Sequence, residues 1–304
     1  MTEKTVYAVA GPTASGKSAL ALRAAEALGG QILCMDSMQV YRGMDIGTAK
    51  PDAEDRRRVP HHLLDLRDPG ESFTVSDWVA EAEKIIERVD VPILVGGTGL
   101  YLQALMQGSA LGGVEGDEAL RERYRAYAAE HGAQALHDLL REKDPASADR
   151  LHPHDVRRVI RALEVTELTG KPMEARFSFT GGDQPYRFVT AVLCPERSRL
   201  YGDIDRRVDR MMEQGLLEEV RALYDAGIDE KAQAIQGLGY KELYLYFRGE
   251  LPLERAVDLI KTRTRHYAKR QITFFKRFEN CVRLTDPDPE ENLRAVLKAF
   301  ERDH

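Results

Sequence analysis

Eight residues near the start of the chain, Gly11-Pro12-Thr13-Ala14-Ser15-Gly16-Lys17-Ser18, follow the pattern G-x-x-x-x-G-K-[ST]. They sit between a short apolar run and an Ala/Leu-rich segment, the context in which backbone N–H groups converge on phosphate oxygens at a helix N-terminus. Lys17 would neutralise phosphate charge, and the Ser18 hydroxyl would ligate a divalent cation. The chemistry is that of a bound di- or triphosphate, ordinarily ATP or GTP. A nucleotide-hydrolysing site also needs a carboxylate at the end of a neighbouring strand. Two apolar runs compete for that place. Pro92–Val95 runs into Gly96-Gly97-Thr98-Gly99 and supplies no carboxylate, whereas Ile32–Met35 ends in Asp36. Asp36 is therefore either a metal-side carboxylate or a catalytic base aimed at an acceptor, and local sequence leaves both open.

The elements that must hold these residues alternate. Thr5–Ala10, Ile32–Met35, Leu63–Leu66 and Pro92–Val95 read as strands, and Ser18–Leu28 and Val75–Val89 as helices. Such alternation favours a parallel sheet covered by helices. A glycine-rich break at 108–116 opens a stretch dense in Arg, Glu, Ala and Leu. Gly181-Gly182 and Pro185 close it before a further strand, Phe188–Leu193. The expected organisation is an α/β core in two parts, 1–116 and 187–304, around an all-helical insertion, 117–186. From Arg197 onward the pattern is helical, with long segments near 198–226, 252–279 and 288–301.

Composition narrows the class further. With 44 Lys+Arg against 50 Asp+Glu, the net charge of −6 excludes a globally basic nucleic-acid binder but not a local basic patch. Cys34, Cys194 and Cys281 are scattered with no C-x-x-C pair, so neither a disulfide framework nor a cysteine zinc site is read, and a cytoplasmic protein is expected. The longest apolar stretch, Val91–Met106, is interrupted by Gly96, Gly97, Gly99 and Gln103, so no membrane span is expected. His152-x-His154 invites a metal reading, but no third ligand accompanies it. Asp155 beside it reads as a helix N-cap, with Arg150, Arg157, Arg158 and Arg161 nearby. A second cluster, Lys261, Arg263, Arg265, Lys269, Arg270, Lys276 and Arg277, holds seven cations in seventeen residues without one acid. On its own it is equally a solvated helix face and a footprint for phosphates.

Gly11–Ser18, the segment Asp36–Pro51, Pro60-His61-His62-Leu63, Val95–Tyr101, Leu238-Gly239-Tyr240 and Lys269-Arg270-Gln271 together resemble the bacterial tRNA isopentenyltransferase family, the tRNA dimethylallyltransferases. The resemblance spans nearly the whole chain in order. It implies a P-loop NTPase-like α/β fold with a helical insertion. It also implies transfer of a dimethylallyl group from dimethylallyl pyrophosphate to N6 of adenosine 37 in tRNAs reading codons that begin with U. Asp36 would then be the base for the N6 proton, Thr98 would line the substrate channel, and Arg207 would bind pyrophosphate, with Mg²⁺ on Ser18 as the cofactor. Asp203 departs from the family, which often has arginine there; Arg206 is the candidate to compensate. The tRNA anticodon stem-loop would meet Asp36, Ser37, Met38, Gln39, Thr98, Arg121, Arg157, Arg158, Arg161, Gln236, Gly239, Tyr240, Lys241, Lys269, Arg270 and Lys276. One copy carries every matched element, so a monomer is expected. The rivals are an adenylate isopentenyltransferase, an ATP-dependent small-molecule kinase and a non-catalytic RNA-binding protein.

Overall fold

The computed structural model describes residues 4–107, 116–172 and 186–301. Of the glycine-rich break expected at 108–116 all but Gly116 lies outside them, as do Gly181, Gly182 and Pro185. The chain divides into two compact units, one of residues 1–108 with 181–304 and the other of residues 109–180.

The first unit is built on a six-stranded sheet in which every pairing is parallel. Its strands are β1 (Thr5–Ala10), β2 (Gln31–Met35), β3 (His61–His62), β4 (Pro92–Gly96), β5 (Arg187–Leu193) and β6 (Val282–Leu284), in the spatial order β3-β2-β4-β1-β5-β6. β1 and β4 are buried along almost their whole length, as strands covered on both faces must be. Tyr7 and Val9 of β1 pack toward α1 (Lys17–Leu28) and the last helix, α12 (Pro289–Glu301), where the rings of Tyr7 and Phe300 lie 4.6 Å apart. Helix α3 (Val75–Arg88) starts in a capping box between Thr74 and Asp77, and its Trp78 donates its indole N–H to the Cys34 carbonyl at 3.1 Å. Trp78 also stacks on Tyr101 of α4 (Gly99–Met106) at 4.7 Å.

Two sequence expectations need correction, and one short strand is added. The run Leu63–Leu66 is not a strand: β3 ends at His62, and Leu63 and Asp65 adopt positive φ, which no ladder accommodates. The segment 198–226 is two helices, α8 (Arg197–Glu213) and α9 (Leu216–Asp225), broken at Gly215 with φ of 101°. The strand β6 was missed because three residues carry too little periodicity to register. Between β2 and β3 runs the short helix α2 (Ala53–Arg58), and α10 (Tyr240–Phe247) and α11 (Leu253–Phe275) complete this unit.

The second unit holds α5 (Glu118–Lys143), α6 (Pro145–Arg150) and α7 (Val156–Thr169), and its described residues contain no strand. Leu136, Leu140, Val159 and Leu163 form its core. Asp155 occupies the N-cap position of α7, but its carboxylate makes no capping bond and instead pairs with Arg158 at 3.4 Å.

Candidate active site

Three loops leave the carboxyl ends of adjacent parallel strands. The phosphate loop follows β1, Asp36 follows β2 and Thr98 follows β4, so strand order places them side by side on one edge of the sheet. Gly16 caps α1 with φ of 84°, a conformation open to glycine at no cost. The first turn of α1 has no side-chain cap, which leaves its N–H groups directed at the loop. Lys17 folds back so that its ammonium donates to the Pro12 carbonyl at 3.1 Å. The Ser15 hydroxyl is buried with no protein partner, while Ser18 is exposed.

Two cations and one carboxylate share an electrostatic neighbourhood here. Burial pushes the Lys17 amine down to about 8, Arg207 adds to that effect and Asp36 opposes it. Arg207, on α8, is lowered from the ordinary guanidinium value by burial, again with Asp36 opposing and with Arg210 adding to the fall. Asp36 thus lies within the field of both cations. Its Oδ1 accepts the Met38 N–H at 2.9 Å, which turns the chain sharply after β2. Thr98 accepts the Ser37 N–H at 3.3 Å and donates its own N–H to the Met35 carbonyl at 3.3 Å. The structure thus brings Gly11–Ser18, Asp36, Ser37, Thr98 and Arg207 into one neighbourhood. Asp203 does not pair with Arg207; it holds Arg206 at 2.5 Å and Arg199 at 3.9 Å. Arg206 is engaged there in an exposed ion pair.

The segment after Asp36 is knitted into a rigid loop. Gln39 donates its amide to the carbonyls of Thr48 and Ala49, both at 3.1 Å. Lys50, whose side chain is only 1% exposed, donates to Tyr41 O, Asp45 and Asp65 at 2.5, 2.8 and 2.6 Å. Glu219 of α9 accepts the backbone N–H groups of Asp45, Ile46 and Gly47 at 2.8, 2.7 and 3.0 Å, and the Tyr240 hydroxyl at 2.6 Å. Burial beside that carboxylate raises the Tyr240 phenol far above its ordinary value, so it remains a donor. Tyr240 is 1% exposed and stands behind this loop rather than on its surface.

Segments 36–39 and 236–241 do meet, with Met38 seated against Gly237. Gly239 takes φ of 93° and donates its N–H to Glu242 at 2.8 Å, starting α10. Gln236 and Lys241 are exposed and bonded to each other at 2.9 Å.

The basic segment divides in two. Lys261, Arg263 and Arg265 pair with Asp209, Glu242 and Asp205 at 2.5, 2.7 and 2.5 Å. Lys269, Arg270, Lys276 and Arg277 are exposed, and among the described residues none has an acidic partner. In the second unit, Arg121 and Arg161 converge on the fully buried Glu164 at 2.9 and 2.5 Å, which also accepts the Asp117 N–H. Arg157 and Arg158 are exposed.

Sequence reasoning missed Tyr267 and Gln271 as members of the site. Tyr267 of α11 faces Thr98, Gln271 and Asp36, and burial pushes its phenol up to about 12. Gln271 accepts the Thr13 N–H at 2.8 Å and donates to the Gly97 carbonyl at 2.9 Å.

A phosphate cradle backed by two cations, with a carboxylate on the next strand, defines a P-loop enzyme that handles a diphosphate beside an acid–base group. The sequence profile of IPP transferase matches residues 39–278, that of isopentenyl transferase matches residues 4–71, and the chain belongs to the IPP transferase family. Two relatives named tRNA dimethylallyltransferase, from Halalkalibacterium halodurans and Geobacter metallireducens, are 46% and 45% identical over 304 residues. They cover 97% and 98% of this chain and 96% and 98% of their own length. The crystal structure of a full-length tRNA isopentenylpyrophosphate transferase from Bacillus halodurans matches with a TM-score of 0.72 at 41% identity, covering 99% of this chain and 100% of the other. A eukaryotic dimethylallyltransferase acting on tRNA matches at 0.82 and 27%, covering 99% and 80%. The family expected from the residues is the family found.

Proposed function

We propose that this protein transfers a dimethylallyl group from dimethylallyl pyrophosphate to N6 of adenosine 37 in the tRNA anticodon stem-loop, in tRNAs reading codons that begin with U. The observation that carries this reading is Asp36, a carboxylate at the end of β2 in the field of both Lys17 and Arg207. Among the described residues no three His, Cys, Asp or Glu side chains gather to hold a metal. The exposed Ser18 hydroxyl beside an uncapped helix start suits Mg²⁺, which takes few protein ligands and arrives with substrate phosphates and water. Ser18 would hold that ion, which supplies neutralising charge for the leaving diphosphate.

The chain's own groups account for the rest. The N–H groups of the phosphate loop, Lys17 and Arg207 bind the diphosphate and stabilise charge as the allylic C–O bond breaks and its electron pair stays on oxygen. An exocyclic adenine amine is a poor nucleophile, since its lone pair is delocalised into the ring. As its nitrogen bonds to the allylic carbon, Asp36 takes the N6 proton. Adenosine 37 leaves its stack to reach that carbon, and segments 36–39 and 236–241 receive it. Exposed Lys269, Arg270 and Lys276 serve the RNA backbone, as do Arg157 and Arg158 in the helical unit; Arg121 and Arg161 act through Glu164. The relatives are tRNA enzymes over their full length, which disfavours the kinase and free-nucleotide readings.

Purified protein given dimethylallyl pyrophosphate, Mg²⁺ and unmodified tRNA should yield N6-isopentenyladenosine at position 37, read by nucleoside mass spectrometry. ATP hydrolysis with unchanged RNA would overturn the assignment. Asp36→Ala should cost at least about a hundredfold in transfer, the low end for a lost general base, while pyrophosphate still binds. Loss of both would return Asp36 to the metal.

A further inference from the structure

Gln271 lies far in sequence from every loop of the site, yet its amide joins two of them. It is 5% exposed; its Oε1 accepts from Thr13 N–H at 2.8 Å and its Nε2 donates to Gly97 O at 2.9 Å. Thr13 is in the phosphate loop and Gly97 immediately precedes Thr98, so one side chain ties the diphosphate cradle to the adjoining wall. The planar amide carries an acceptor and a donor on one group, which is what the two ties require.

Close contacts, one of them with Gln271, explain the glycines of Gly96-Gly97-Thr98-Gly99. A Cβ on Gly97 would stand 2.2 Å from Gln271 Nε2, and one on Gly99 would stand 2.2 Å from the Phe274 ring. A Cβ on Gly96 would be driven into the Met35 backbone. Neither Gly97 nor Gly99 has positive φ, so they are needed for room and not for backbone conformation. Tyr267, Gln271 and Phe274 fall at i, i+4 and i+7 on α11, one continuous stripe laid against the loop after β4.

We propose that Gln271 is a positioning residue: its amide sets the spacing between the diphosphate cradle and the Thr98 wall, and so where the allylic carbon is presented. This rests on the transferase reading above. Losing the amide leaves the part-buried Thr13 N–H without its partner, while the Gly97 carbonyl keeps only the Gly99 N–H at 3.1 Å, and the phosphate loop shifts to recover the lost bond. The effect falls first on the diphosphate substrate, because the Thr13 tie is made inside the phosphate loop.

The test compares wild type, Gln271→Met, Gln271→Glu, Gly97→Ala and the double variant Gly97→Ala/Gln271→Met. Readouts are KM for dimethylallyl pyrophosphate, KM for tRNA, inhibition by inorganic pyrophosphate, and melting temperature. Gln271→Met should weaken pyrophosphate inhibition and raise the diphosphate KM by roughly tenfold, the effect of one unmet buried hydrogen bond, with the tRNA KM within about twofold of wild type. Gln271→Glu keeps an acceptor for Thr13 but sets a carboxylate oxygen against the Gly97 carbonyl beside an anion site, so it should weaken pyrophosphate inhibition at least as much as Gln271→Met. Gly97→Ala expels the same amide, so the double variant should be no worse than the worse single variant. Equal changes in both KM values, additive losses, or unchanged pyrophosphate inhibition would overturn the proposal while the transferase reading stands. If wild type transfers nothing, the reading fails instead, and pyrophosphate binding by calorimetry still decides the role of Gln271.

Discussion

The carboxylate of Glu219 offers a sharp test of how the loop after Asp36 is held. It accepts four hydrogen bonds, three from the consecutive N–H groups of Asp45, Ile46 and Gly47 and one from the Tyr240 hydroxyl. Glu219→Gln preserves volume but replaces one acceptor oxygen by a donor. The least costly arrangement turns the new NH₂ toward Tyr240, whose hydroxyl can rotate to accept, and leaves the Gly47 N–H unpaired. One unsatisfied backbone donor and the loss of charge assistance on the remaining bonds cost about 2 kcal/mol at this partly buried position. For a unit of this size that corresponds to a melting temperature lowered by roughly 4–8 °C. Tyr240→Phe removes one bond and strands no N–H, so it should cost less, about 1 kcal/mol. The loop is continuous with Asp36–Gln39 through the two bonds Gln39 makes to Thr48 and Ala49. Glu219→Gln should therefore raise the KM for tRNA more than that for dimethylallyl pyrophosphate, the reverse of the Gln271 pattern. Scanning calorimetry and steady-state kinetics measure both. A melting temperature within about 1 °C of wild type, or a rise confined to the diphosphate KM, would refute the reasoning.

Two further outcomes follow from the charges. Lys17 titrates near 8, so it is protonated below that pH and neutral above it. Diphosphate binds the protonated form; pyrophosphate inhibition should be flat below pH 7.5 and weaken by about tenfold per pH unit above 8, with the break abolished in Lys17→Met. The folded value lies below the unfolded 10.5, so this group disfavours folding below pH 8 and the penalty fades between pH 8 and 10.5, a gain visible in the ligand-free protein. A flat inhibition profile to pH 9.5 would contradict this. In the basic segment, Lys269→Glu with Arg270→Glu should weaken tRNA binding and lower the slope of log K against log salt by about 2, without changing stability. Arg263→Glu or Arg265→Glu should instead lower the melting temperature, because each sets a carboxylate against Glu242 or Asp205. Indistinguishable salt slopes for the two sets would remove the division between them.

Gly11–Ser18 and Asp36 were legible in the chain because their chemistry is local. A glycine-rich turn between strand and helix must present its N–H groups to an anion, and a carboxylate ending the next apolar run must share its edge of a parallel sheet. Strands β1, β4 and β5 were legible for the same reason, as continuous apolar runs bounded by breakers. Charge was not. The run of cations from Lys261 to Arg277 reads as a single stripe, yet its first half is neutralised by Asp209, Glu242 and Asp205 from other helices. Arg121 and Arg161 likewise turn toward Glu164, a contact no spacing announces. The roles of Glu219, Lys50, Tyr267 and Gln271 escape sequence reasoning because each is set by a partner distant along the chain. Thr13 and Gln271 are 258 positions apart, and only the packing of α11 across the end of β4 makes them partners. Residue type and local spacing thus specify which groups can do chemistry, since those depend on a few neighbouring torsions. Which charges are free and what fixes the loops depends on folding distant segments against one another, where a side chain's role is set by its neighbours in space.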